Sequence, residues 1–128
     1  MAQATATDAG KPPEPEKSLE ALGEEGNRLA AGMRPLKSAE LSGAREVGQE
    51  LVANLDADAC LRVVFSSAEA VVAKLADDKG RTLAELPAVL DGKLGERGPI
   101  CVRRGTTVHV QFSAPGDIVV RFASWTSR

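Results

Sequence analysis

The sequence predicts an all-β fold, an antiparallel sandwich of about seven to eight short strands, behind a disordered tail and a short helix. Three observations carry this. From Val47 to Trp125 apolar residues recur at every second position, the period of a strand with one buried face. Clusters of turn residues punctuate these runs at regular spacing, the pattern of sandwiches and barrels. The two cysteines, Cys60 and Cys101, each fall on one of the runs.

Taken in order, the chain of 128 residues begins with "MAQATATDAGKPPEPEK". That stretch has no apolar period and cannot bury enough surface to offset its conformational entropy, so residues 1–17 are expected to be a disordered tail or tether. It has the look of a tail left once a targeting segment is gone, with a start Met added. No basic-then-apolar signal segment is visible, nor is any run of about 18 apolar residues that would cross a membrane.

"SLEALGEEGNRLAAGM" predicts a short helix over residues 18–33. Ser18 can cap it, and Glu20, Glu24 and Glu25 lie toward its positive end. Leu19, Leu22, Leu29 and Met33 form one stripe, interrupted by Gly23 and Gly26, which each cost up to about 1 kcal/mol relative to Ala. So weak a helix must lie against something. Packing on its own domain is one outcome; docking a partner through the stripe is the other.

The domain from 34 to 128 then alternates. Val47, Leu51, Ala53 and Leu55 share a face, with Gln49 the exception, and Leu61, Val63 and Phe65 share the next. Val71, Ala73 and Leu75 follow, then Ile100 with Val102, then Val108, Val110 and Phe112, and finally Ile118, Val120 and Phe122. "LDADA", "SSAEA", "DDKG", "LDGK", "RRG" and "APGD" read as the intervening turns. "EAVVAKLA" and "LAELPAVLDGKL" have helix-like spacing too; Pro87 and the β-branched content favour strand and loop. In "GKLGERGPICVRRG", Gly92, Gly95 and Gly98 are expected to be loop punctuation leading into a strand, because no helix or Lys-Ser/Thr pair follows to make a phosphate loop.

Composition narrows function without naming it. Hydrophobic residues are 43%, charged residues 27%, and the net charge is −2, which gives no general attraction to nucleic acid. Aromatic residues are only 3%, fewer than large catalytic clefts and sugar platforms normally use. The cysteines have no C-x-x-C spacing and His109 is the lone histidine, so zinc spacings are absent and no metal or other cofactor is expected. A single Cys60–Cys101 disulfide is the simplest use of the pair, closing a loop worth roughly 4 kcal/mol and implying an extracytoplasmic location. Two unconnected buried thiols are the alternative.

By strand parity Arg62, Arg103 and Arg121 point away from the apolar set, as do His109 and Trp125 on their strands. If the strands are neighbours these residues form a cationic face with an indole at its edge, suited to an acidic polysaccharide, lipid headgroup or protein surface. Outward arginines also serve solubility alone. His109 has no nucleophile motif beside it, so no catalytic residue is assigned. Asp56 and Asp58, with Asp77 and Asp78, offer oxygens for calcium but lack the EF-hand pattern.

"ELVANLDADACLRVVFSS", "AVVAKLADDKGRTLAE" and "GTTVHVQFSAPGDIVVRF" together resemble the pre-peptidase C-terminal domain and its jelly-roll relatives among secreted bacterial proteins. The aromatic-rich strands and D-x-D-L run of that family are missing. The resemblance implies a jelly-roll-like, non-catalytic module, of the kind found in lipoprotein-like, periplasmic or secreted proteins. The expected function is recognition of a protein or glycan. A structural subunit of a larger assembly, docking by its helix or a sheet edge, is the alternative; a small hydrolase is a distant third.

Overall fold

The computed structural model describes residues 14–127. Its elements are α1 (Leu19–Leu29), β1 (Arg34–Val52), β2 (Ala59–Asp77), β3 (Thr82–Leu94), β4 (Ile100–Val102) and β5 (Val108–Thr126). The strands form one antiparallel sheet in the order β1-β5-β2-β3, with β4 beside β2 beyond the end of β3.

Five strands replace the expected seven to eight because several expected pairs are halves of one strand. "CLRVVFSS" and "EAVVAKLA" run together as β2, and "TTVHVQFS" and "DIVVRFASW" as β5. "SSAEA" and "APGD" are therefore bends, not connections. The register slips at the same level across the sheet, between Ala44 and Glu46 in β1, Ser67 and Val72 in β2, and Ser66 and Val71 where β2 meets β3. Pro115 lies in that break. It has no N–H to give a ladder, and an interior strand tolerates it only where pairing is interrupted.

Ring contacts show how sharp the bend is. Phe112 and Phe122 belong to the same strand, and ten extended residues would separate them by about 33 Å. Their centroids are 6.2 Å apart, and Phe112 lies 5.1 Å from Phe65. The sheet is thus folded over on itself into a sandwich. One layer holds residues 34–44, 117–126, 59–67 and 91–94 with β4; the other holds 46–52, 108–113, 71–77 and 82–89. Both layers keep the order β1-β5-β2-β3, a jelly-roll-like arrangement in which each long strand serves both layers.

The alternating residues fill the space between the layers. Leu61, Val63, Val71, Ala73, Leu75, Val108, Val110, Phe112, Ile118, Val120 and Phe122 are fully buried in one cluster. Ala53, expected on the inner face, is exposed in the loop after β1. Gly92 is not loop punctuation but part of β3, where a Cβ would come within 2.7 Å of the Phe65 ring. Gly95 does turn the chain, at φ +90°, and Gly98 N–H closes that turn onto its carbonyl at 3.2 Å.

A second, smaller core lies outside the first layer, where α1 packs. Leu22, Ala30, Val64, Ala123 and Trp125 are buried there, with Leu29 and Met33 against them. Ser18 caps the helix, its Oγ accepting from Ala21 N–H at 3.1 Å. Gly26 lets the helix approach, since a Cβ there would sit 1.8 Å from the Trp125 ring. Most of the expected tail, residues 1–13, lies outside the described residues. Glu14–Lys17 is laid along the sheet: Lys17 N–H donates to Ser66 Oγ at 3.1 Å, and Arg121 Nη1 donates to Lys17 O at 3.2 Å.

Candidate binding site at the open end of the sandwich

Cys60 and Cys101 are bonded to each other and are directly opposed on β2 and β4. β4 pairs with β2 over only three residues, so the disulfide anchors the short strand that leads into the next loop. That loop, 103–107, and the loop 53–58 both cross between the layers at the end away from the bend. They are bonded together: Leu55 N–H donates to Thr106 O at 3.1 Å, and Gly105 N–H to Leu55 O at 2.7 Å. The β2–β3 turn joins them through Asp78 N–H to Thr107 O at 3.1 Å.

Asp77 builds that turn. Its side chain is only 1% exposed. Oδ1 accepts from Arg81 N–H at 2.8 Å and Lys79 N–H at 3.0 Å, and Oδ2 accepts from Arg81 Nε at 2.8 Å. The Arg81 backbone N–H is the main reason the Asp77 carboxyl is held below its ordinary pKa; its burial opposes this, and Arg81 Nε and Lys79 N–H reinforce it. Gly80 supplies the left-handed residue, at φ +84°.

Between this turn and β4 lies a groove of about 320 Å³, lined by Asp77, Arg81, Thr82, Leu83, Cys101, Val102, Arg103 and Thr106. The Arg81 side chain is 74% exposed and uses only Nε toward Asp77. The Arg103 side chain has no ion pair or hydrogen bond among the described residues. Asp58, close by on the rim, accepts at Oδ1 from Arg104 N–H at 2.8 Å. A larger groove of about 580 Å³ follows the bend, lined mainly by small residues with Glu69 and Asp117. Its chemistry is backbone and carboxylate, without a cation.

The expected cationic face divides. Arg62 and Trp125 are direct partners in the ladder, and Arg121 lies on the same outer face. That face is covered. Trp125 is 2% exposed and its Nε1 donates to Asn27 Oδ1 at 3.0 Å. Arg62 Nη1 donates to Leu29 O, at the negative end of α1, and its buried Nε has no partner among the described residues. Arg121 Nε donates to Glu40 at 2.7 Å and Nη2 to Glu14 at 3.2 Å. Of the residues expected on this face, Arg62, Arg121 and Trp125 hold the helix and the segment before it onto the sheet. Arg103 is separate, on the open rim, and His109 is on the other layer, paired in register with Glu50 and Ala76.

The docking stripe is used within the chain. Leu22 is fully buried, Leu29 and Met33 are partly buried against the sheet, and Leu19 remains 39% exposed. Across the same outer face Glu25 joins Lys17 at 3.0 Å and Lys93 at 3.4 Å. Burial opposes the Glu25 charge, yet the two lysines together hold its carboxyl below the usual range. Asp56 is exposed, and no group of three His, Cys, Asp or Glu side chains among the described residues is arranged to hold a metal.

Arg81, Thr82 and Thr106 escaped the sequence reading. "DDKGRT" marked a turn, but nothing local says which loops that turn meets.

No known protein family matches the chain, the pre-peptidase C-terminal domain included, and no curated protein matches it. Among solved structures it is similar to a chain described as "Structure of infectious bursal disease virus Gx strain", at 10% identity and a TM-score of 0.32. The match covers 71% of this chain and 30% of that one, so the chain spans less than a third of its length. A likeness this low adds nothing on fold or function.

Proposed function

We propose that the chain is a non-enzymatic accessory module of an oxidising, extracytoplasmic compartment, and that it recognises a protein partner through the open end of its sandwich. The observation that carries this is the rim itself. Loops bonded to one another sit on a rigid, disulfide-anchored sheet and present two arginines beside a groove. Loops held by a rigid scaffold are the usual place for recognition. The disulfide supports the compartment. Protein is preferred to glycan because Phe65, Phe112, Phe122 and Trp125, all the Phe, Trp and Tyr side chains of the sequence, are buried, leaving no phenyl or indole ring on which a sugar could stack.

The test compares the wild-type chain with a rim double variant, Arg81→Glu with Arg103→Glu. A control pair, Arg34→Glu with Arg45→Glu, carries the same charge change at exposed positions of β1. Each is immobilised and exposed to fractionated envelope and secreted proteins of the source cell. A protein retained by wild type and control but lost from the rim variant is the expected result. Equal retention by all three would remove the rim as the recognition surface.

Assembly into a larger structure is favoured by one separate observation. β1 and β3 are the outer strands of the sheet, and Leu90 on β3 is 54% exposed. Sedimentation tests that reading: an oligomer that Leu90→Lys dissociates would replace the first proposal.

A further inference from the structure

The geometry points to an oxyanion carried on a short apolar stem as the ligand of the 320 Å³ groove, with Arg81 and Arg103 on either side of the anion. This rests on the recognition reading above and names the chemistry that the site takes: the carboxylate side chain of an acidic partner protein.

Three features of the groove lead to it. The first is cationic capacity left unused. In a chain of net charge −2 with 18 acidic residues, the Arg103 guanidinium has no acidic partner among the described residues. Arg81 commits Nε to Asp77 and keeps both terminal nitrogens free among the described residues. Asp77 does not take the terminal nitrogens of Arg81 from the ligand, because its two oxygens already accept from Lys79 N–H, Arg81 N–H and Arg81 Nε and its side chain is 1% exposed. Its pairing also restrains Arg81, so less freedom is lost when a ligand arrives.

The second feature is the lining. Val102 belongs to the main core and Leu83 packs against that core, and both line the groove together with the two arginines, so part of its wall is apolar. A bare hydrated anion gains nothing there, whereas a carboxylate with a few methylenes buries them. The third is the rim, where Thr82 and Thr106 add hydroxyl donors beside the arginines. The volume suits one side chain or a small acid, not a polymer threaded through.

The experiment titrates the full ¹⁵N-labelled chain with acetate, butyrate and hexanoate, and separately with phosphate and sulfate, at fixed ionic strength. Backbone amide shifts at Thr82, Arg103 and Thr106 report the site. Shifts confined to these residues, with hexanoate at least tenfold tighter than acetate, are expected. Arg103→Gln is expected to weaken hexanoate at least tenfold without changing the melting temperature, since its side chain holds nothing else in the fold.

Phosphate or sulfate binding as tightly as hexanoate would overturn the stem. A uronate oligosaccharide binding more tightly than hexanoate would overturn the protein side chain as source. Absence of localised shifts, or binding indifferent to Arg103→Gln, would overturn the site altogether. Localised binding together with failed partner capture would refute only the recognition reading; partner capture at the rim without small-anion binding would refute only the ligand chemistry.

Discussion

Gly23→Ala and Gly26→Ala make the same chemical change in the same helix, and the structure gives them opposite signs. A Cβ at Gly23 meets nothing within 4 Å. Alanine there gains only helix propensity, so the variant should be more stable by about 0.5–1 kcal/mol. A Cβ at Gly26 would lie 1.8 Å from one atom of the Trp125 ring and 2.2 and 2.5 Å from two others. The ring is 2% exposed and cannot move aside without losing Asn27 or displacing Val64 and Ala123. Overpacking of this kind costs about 1–3 kcal/mol, which the propensity gain offsets only in part. The propensity gain is common to both variants, so they should separate by the overpacking cost of about 1–3 kcal/mol, or about 4–12 °C in melting temperature for a domain of this size. Trp125 is the sole tryptophan, so its fluorescence follows both unfolding and local displacement. Gly26→Ala should shift the native emission to the red, while Gly23→Ala should leave it unchanged. If both substitutions stabilise alike, α1 does not pack on Trp125 and the second core is misplaced.

Other outcomes follow from the sandwich and its rim. Reducing Cys60–Cys101, which are 41 residues apart, should cost roughly 4 kcal/mol in the chain-entropy account. Melting with and without a dithiol checks this, and a Cys60→Ser, Cys101→Ser variant should no longer respond to the dithiol. Phe112→Ala removes the ring that bridges both layers at Phe65 and Phe122, and should lose about 3–5 kcal/mol in urea unfolding; a surface-like loss near zero would contradict the fold-over. Asp77 has a carboxyl pKa lowered in the folded state. Its stabilising effect is fully present above the ordinary aspartate value of about 3.9 and disappears as pH falls through the lower folded value. Asp77→Asn should thus be less stable at neutral pH and show a flatter decline in stability below about pH 4, measured by urea midpoints across pH. An unchanged slope would mean that the turn does not depend on that charge.

Which residues form strands, and which of them face inward, depends on local chemistry. Leu61, Val63 and Phe65, or Ile118, Val120 and Phe122, alternate because one face of each strand must avoid water, and that requirement is written in consecutive residues. The helix from Ser18 onward and the all-β sandwich class were legible for the same reason. The disulfide was legible by count, since a chain with two cysteines offers only one pairing. Where the strands end was less legible. A turn and a sharp bend use the same residues, so "SSAEA" and "APGD" look alike whether the chain reverses or passes from one layer to the other.

Long-range placement belongs to the tertiary structure. Parity put Arg62, Arg121 and Trp125 on one outer face, but only the docking of α1 made that face internal. Gly26, a helix breaker by propensity, is where the helix makes its closest approach. The groove at the open end joins residues from the β2–β3 turn, β4 and the loop before β5, which are distant along the chain. Period and turn chemistry act over a few residues; which loops meet depends on where the folded-over sheet brings its far ends, and that is decided by packing of the whole core.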